Sequence, residues 1–346
     1  MEKILITRFS SFGDVVQAMV CLEALHRRFP ESKIHWVCRS EFRPLIENHP
    51  LVEKVFDLKK GSKFSELQKL IKDLKKENYS HFYDAHNNTR SNLISFFFLW
   101  QRITGKIKYC QRPKNRFKRF LLFNFKINLF PWPFVLMKSY LKPLKNWGVD
   151  AALSKNKHIY LEPSVFESAK KELHETKDYI VLAPSAAWEL KRWPIEYWQE
   201  LINRLPNENI VLLGGPEDHF IEDLVKNAKP RRARLLNLAG KLSFAQSCSV
   251  IENAKHIVGG DSGLTHVGDS FAVPSSLIIG AAAFAYPARK STKILDHKLA
   301  CKPCSKDGRG KCKNTIYKEC LFGLSPDEVL KSISPEKFKE IPLTKL

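Results

Sequence analysis

Between Asp84 and Asp150 the chain carries no acidic residue. It has no apolar run long enough to span a bilayer, for Leu93 to Trp100 stops far short of that length. No secretory leader is legible: Met1-Glu2-Lys3 leads straight into Ile4-Leu5-Ile6, which breaks at Thr7-Arg8. Low-complexity tracts and short tandem repeats are missing too. These absences argue against a membrane-spanning bundle and a repeat solenoid, and they predict a cytoplasmic chain. In that compartment the eight cysteines are expected as reduced thiols or metal ligands, not as disulfides.

What is present is enough for two ordinary domains: 346 residues, 44% of them apolar. Short apolar strands alternate with amphipathic helices through the first half, from Lys3–Phe9 and Val15–Arg28 to His81–Asp84 and Thr89–Arg102. The stretch from about Gly105 to Pro133 loses its period and reads as loop-rich. Alternation resumes with Tyr179–Ala183 and runs to Ser275–Ile279. Such alternation predicts parallel sheets with helices on both faces. The domains are placed at 1–160 and 168–330, with a tail at 331–346. Two doubly wound halves would leave a cleft between them, with ligands at the carboxyl ends of the strands.

Net charge is +21. The acid-free window supplies Arg90, Arg102, Arg112, Arg116, Lys118 and Lys126 among others, interleaved with Phe117, Phe120, Phe123, Phe125, Phe130 and Trp132. Cations and rings together suit an anionic membrane surface. They also suit single-stranded nucleic acid, and a solvated basic face is the plain alternative.

The motif Gly259-Gly260-Asp261-Ser262-Gly263-Leu264-Thr265-His266 follows an apolar strand and opens a helix. That arrangement aims backbone N–H groups and a positive helix end at an anion, so a phosphate-bearing ligand is expected. A plain strand-to-helix turn is the alternative. Ser10-Ser11-Phe12-Gly13-Asp14 occupies the first strand-to-helix turn, where Asp14 is either a helix cap or a general base. Asp84 ends the fourth strand before the polar turn His86-Asn87-Asn88-Thr89-Arg90. Ser185 follows another strand. Lys191-Arg192-Trp193-Pro194 opens a helix, placing cations where a diphosphate would need them.

Asp14 in Ser-Ser-Phe-Gly-Asp-Val, Lys191 in Lys-Arg-Trp-Pro and Asp261 in Asp-Ser-Gly-Leu-Thr-His stand in the order seen in bacterial heptosyltransferases of glycosyltransferase family nine. Gly214-Gly215-Pro216-Glu217-Asp218 and Gly240-Lys241-Leu242-Ser243 resemble that family's intervening motifs. The resemblance implies a GT-B fold of two Rossmann-like domains, acceptor on the first and nucleotide-sugar on the second. It implies an inverting, metal-independent transfer of heptose from ADP-heptose to the inner core of lipopolysaccharide. Asp14 would be the catalytic base. Ser185, Lys191, Ser262, Gly263 and Leu264 would hold the diphosphate, and Asp261 the transferred sugar. Leu242, Asp218 and Glu217 would bind the nucleoside. Ser10, Ser11, Gly13, Asp84 and Arg90 would contact a lipid-linked anionic saccharide at the cytoplasmic face of the inner membrane, and no nucleic acid is expected. The sequence departs from the family pattern where Ala186 and Ala187 replace a Thr-Thr pair, and where Phe134 to Lys138 lacks the usual His and Glu-Arg. A relative acting on another sugar or acceptor, and a non-catalytic basic protein binding nucleic acid, are the alternatives.

Cys301, Cys304, Cys312 and Cys320 begin with a CxxC spacing and raise a four-thiolate zinc site against free or redox-active thiols.

Overall fold

The computed structural model describes residues 1–205, 207–228 and 234–333. The expected tail lies outside them from residue 334 onward. By contacts the chain divides into two units, Met1–Arg116 with Val135–Val165, and Phe117–Phe134 with Phe166 onward.

In the first unit Ile4, Leu5 and Ile6 are wholly buried, as a strand covered on both faces requires. This strand, β1 (Lys3–Thr7), lies between β2 (Lys33–Arg39) and β4 (His81–Asp84). With β3 (Val52–Leu58) and β5 (Lys108–Gln111) they form a parallel sheet in the order β3-β2-β1-β4-β5. Helix Phe64–Lys76 shows how the covering layer is built. Leu67, Leu70, Ile71 and Leu74 recur at helical spacing on its buried stripe, and the Glu66 carboxylate accepts the Lys63 N–H at its start.

The second unit holds β6 (Tyr179–Ala183), β7 (Asn209–Leu212), β8 (Leu235–Asn237), β9 (His256–Gly260), β10 (Ser275–Ile278) and β11 (Thr292–Leu295). All pair in parallel, in the order β11-β10-β9-β6-β7-β8. Its core joins Leu182, Val258 and Ile278 to Trp193 and Trp198, and the Trp193 indole N–H donates to the Leu324 carbonyl at 3.0 Å. The expected doubly wound α/β class is therefore what both units adopt. In each, strand order reverses beside one central pair, β1 and β4 in the first unit, β6 and β9 in the second. The crevice at the carboxyl end of such a pair is where an open α/β sheet binds its ligand.

Three segments differ from the sequence reading. The stretch read as loop-rich contains β5 and helix Arg116–Phe125. Leu122 is buried while Phe117, Phe120 and Phe125 face water, so apolar residues on both sides of the helix mask its period. The expected helix Thr89–Arg102 is two, Thr89–Phe97 and Leu99–Ile103, parted at the buried Phe98. Val15–Arg28 likewise divides at Met19. Residues 117–134 pack into the second unit, where the Phe134 ring stacks on Phe284 at 4.5 Å. Among the described residues no helix is long and apolar enough to cross a membrane.

Candidate active site

At the carboxyl end of β1 the chain turns through Ser10 and Ser11 into helix Phe12–Ala18, which carries Asp14 in its first turn. The Asp14 carboxylate is held by three donors. Ser11 Oγ donates to it at 2.8 Å, Tyr140 Oη at 3.0 Å, and the Arg8 guanidinium lies at 2.8 Å. Burial by itself would push this carboxyl up. Arg8, the Ser11 hydroxyl, Arg112 and the Tyr140 hydroxyl overcome that and hold it below the usual carboxylate range. Its side chain stays 31% exposed, so a ligand can reach it, whereas that of Arg8 is 6% exposed. Arg8 is fixed further by donating to the Ala85 carbonyl at 3.1 Å. Arg112 lies over the Tyr140 ring at 4.1 Å.

Asp84, expected among the acceptor contacts, does not serve that role. It is fully buried, and its oxygens accept from Thr7, Ser91, Gln111 and the backbone N–H groups of His86 and Asn87. With five donors around it, Asp84 fixes the turn after β4 and offers a ligand nothing. In that turn His86 Nδ1 accepts the Phe9 N–H at 3.1 Å, which requires an unprotonated nitrogen. Burial and the neighbouring Arg8 push its pKa down to about 3, in keeping with that bond. Ser11 and Arg90 are exposed, Ser10 is half-buried and Gly13 buried.

In the second unit Asp261 follows β9. Lys191 Nζ lies 2.7 Å from its Oδ2 and His266 Nε2 3.3 Å from its Oδ1. Burial opposes ionisation here too, but Lys191 and His266 prevail and bring the carboxyl down to about 2. Ser262 begins helix Gly263–Phe271 in extended backbone, so the first-turn amides of Gly263 and Leu264 have no acceptor within the helix. Two glycines admit Lys191 to this place. A Cβ on Gly260 would stand 2.9 Å from the Lys191 carbonyl, and one on Gly308, at φ +91°, 2.7 Å from Lys191 Cγ.

Each unit thus places a carboxylate at its sheet switch point, Asp14 in the first and Asp261 in the second. The model of glycosyltransferase family 9 (heptosyltransferase) matches residues 67–311. The chain belongs to glycosyltransferase family 9. It is a glycosyltransferase of the heptosyltransferase family, with the two α/β units of the GT-B fold. It is 28% identical to lipopolysaccharide heptosyltransferase 2 of Salmonella typhimurium over 295 residues, covering 80% of this chain and 82% of that one. In fold it is similar to the family 9 glycosyltransferase of Veillonella parvula, with a TM-score of 0.76, 19% identity, and 96% of each chain covered. It is likewise similar to E. coli ADP-heptose lps heptosyltransferase II, with a TM-score of 0.72, 19% identity, and 97% of this chain and 98% of that one covered.

The remaining expected residues of this family 9 enzyme fall on the turns around β6, β7 and β8. Ser185 Oγ donates to Asp218, which also accepts the Gly215 N–H at 2.7 Å and lies 3.6 Å from Arg192. Asp218 thus ties the ends of β6 and β7 together, and Glu217 is the exposed carboxylate of the pair. The Gly240 N–H donates to the Gly214 carbonyl at 3.1 Å, so the turn leading to the half-buried Leu242 touches the turn bearing Glu217. Cys301, Cys304, Cys312 and Cys320 line one cavity of about 10 Å³ with Leu190 and Ala281. Burial raises the Cys304 thiol and pushes Cys320 up to about 11. Among the described residues no three His, Cys, Asp or Glu side chains are grouped to hold a metal ion.

Sequence reasoning left Arg8, Tyr140, His266 and Gly308 without roles. Arg8 and His266 lie within or beside motifs already singled out, and a basic side chain near a carboxylate was the available signal. Tyr140 is 126 residues from Asp14, and only folding brings the two together.

Proposed function

We propose that this enzyme transfers a heptose from ADP-heptose to the inner core of lipopolysaccharide, with inversion and without a metal ion. Supporting this reading are its family and its likeness to lipopolysaccharide heptosyltransferases. The observation that carries it is the Lys191–Asp261–His266 cluster set against the first turn of helix Gly263–Phe271.

In this reading the acceptor hydroxyl attacks the anomeric carbon of the heptose. Asp14 takes the hydroxyl proton, and the bond to the ADP phosphate breaks with its electron pair leaving on the phosphate oxygen. Negative charge grows on ADP. Lys191 and the amides of Ser262, Gly263 and Leu264 stabilise it, supplying the positive charge a metal ion provides elsewhere. Lys191 has three N–H donors, so it can keep Asp261 while reaching a diphosphate oxygen. Asp261 orients the sugar, Ser185 lies near the diphosphate, and Leu242, Glu217 and Asp218 border the nucleoside. Ser10, Ser11, Gly13 and Arg90 meet the anionic saccharide. The enzyme works at the cytoplasmic face of the inner membrane, on a lipid-linked acceptor.

The decisive experiment incubates the purified chain with ADP-heptose and lipopolysaccharide from cells lacking core heptose, reading mass by spectrometry. A gain of one heptose with the inverted anomeric configuration is expected, insensitive to a chelator. Transfer only from another nucleotide-sugar, or none from any in a panel, would overturn the reading.

A further inference from the structure

Six large apolar side chains of one short stretch of the second unit stand in water. Phe117 is 70% exposed and Phe125 60%, with Phe120, Ile127, Leu129 and Trp132 about half exposed. Scattered apolar residues on a surface need no explanation, but a concentrated set does. The inner side of this stretch is already occupied, since Leu122 is buried and Phe130 and Phe134 pack on Phe284. The outward set is therefore surplus to the core.

A second segment joins it. Lys313 Nζ donates to the Phe123 carbonyl at 3.0 Å, and Lys126 Nζ to the Pro303 carbonyl at 2.8 Å. Through these bonds the stretch abuts the loop 301–318, which exposes Ile316 at 61% and Tyr317 at 56%. That loop also presents Lys306, Arg309, Lys311 and Lys313, and the helix presents Lys118. From Phe117 to Phe134 there is no carboxylate, and Asp307 in the loop is paired with Arg309 at 3.4 Å.

Rings and aliphatic side chains flanked by cations match the boundary between acyl chains and anionic headgroups. Nucleic acid would use the rings and the cations but not Ile127, Leu129 and Ile316, which have no flat face on which bases stack. We propose that this joined surface of the second unit docks onto an anionic phospholipid bilayer. The inference rests on the reading above that the acceptor is lipid-linked. It assigns membrane contact to the unit carrying the nucleotide site, although the sequence order placed this window in the acceptor half.

The test is sedimentation of the full chain with phosphatidylcholine vesicles made with and without phosphatidylglycerol. Binding is expected only with phosphatidylglycerol and should weaken as salt rises. Phe117→Ser with Phe125→Ser, and separately Lys118→Glu with Lys311→Glu, should each weaken binding about tenfold or more. ADP affinity by calorimetry should stay unchanged, which shows that the variants fold. Intact protein that ignores phosphatidylglycerol vesicles, variants that bind as tightly as the parent, or binding to RNA without binding to vesicles would each overturn the proposal. Vesicle binding without heptose transfer would sink the transfer reading alone. Transfer to a delipidated acceptor without vesicle binding would sink this one alone.

Discussion

Asp14 and Asp261 are two solutions to one problem. Each follows a central strand at a sheet switch point, each is disfavoured by burial, and each is kept ionised by a cation within 2.8 Å. The partners differ. Arg8 is buried, locked to Ala85 and unable to lose its charge, and two hydroxyls join it on Asp14. Lys191 is a point charge on a flexible stem, and Asp261 is 11% exposed where Asp14 is 31%. In the proposed mechanism, a fixed clamp on the more open carboxylate suits a group that receives a proton in one orientation. A mobile cation on the more enclosed one suits, in the same mechanism, a site whose charge is shared with an arriving diphosphate.

The contrast can be broken in four places. Asp14→Asn should lower kcat by about two to four orders of magnitude while ADP affinity by calorimetry stays put. If turnover survives, Asp14 is not the base. Lys191→Ala should weaken ADP binding about tenfold to a hundredfold, the range of a lost charge-assisted hydrogen bond. Equal affinity would detach Lys191 from the diphosphate.

Gly308→Ala sharpens the same point without touching charge. Its new methyl would meet the Lys191 stem at 2.7 Å, and ADP affinity should fall several-fold to tenfold. Gly310→Ala is the control. Its φ, +92°, carries the same backbone penalty, but its methyl meets nothing within 4 Å, so ADP affinity should hold. The smallest effect belongs to Tyr140→Phe. A carboxyl whose pKa is depressed in the folded enzyme stays ionised until pH falls through that depressed value. The parent should therefore keep activity well below the ordinary carboxylate range near pH 4. Removing the Tyr140 hydroxyl takes away one donor that lowers Asp14, so the acid limb of kcat against pH should move upward. An unmoved limb would leave Tyr140 as packing only.

Much of the fold was legible because parallel strands buried on both faces read as plain apolar runs. Ile4-Leu5-Ile6 and Tyr179 to Ala183 are of that kind. The strand-to-helix turn at Asp261 was legible as well, since glycine and serine between a strand and a helix are local features. Long-range effects were not legible. Asp84 looked like a strand-end carboxylate open to ligand, and only the three-dimensional ring of donors around it shows otherwise. Helix Arg116–Phe125 was hidden because its outward face is as apolar as its inward one. Gly308 gave no hint of Lys191, which lies more than a hundred residues earlier in the chain.

The excursion of residues 117–134 into the second unit has a consequence for biosynthesis. Phe134 finds its stacking partner in Phe284, 150 residues downstream. At a ribosomal pace of about 5–20 residues per second, the segment waits roughly eight to thirty seconds after emerging. During that interval a greasy, cationic ribbon hangs from a half-made chain, a natural target for a chaperone that shields nascent segments until their counterpart has been translated.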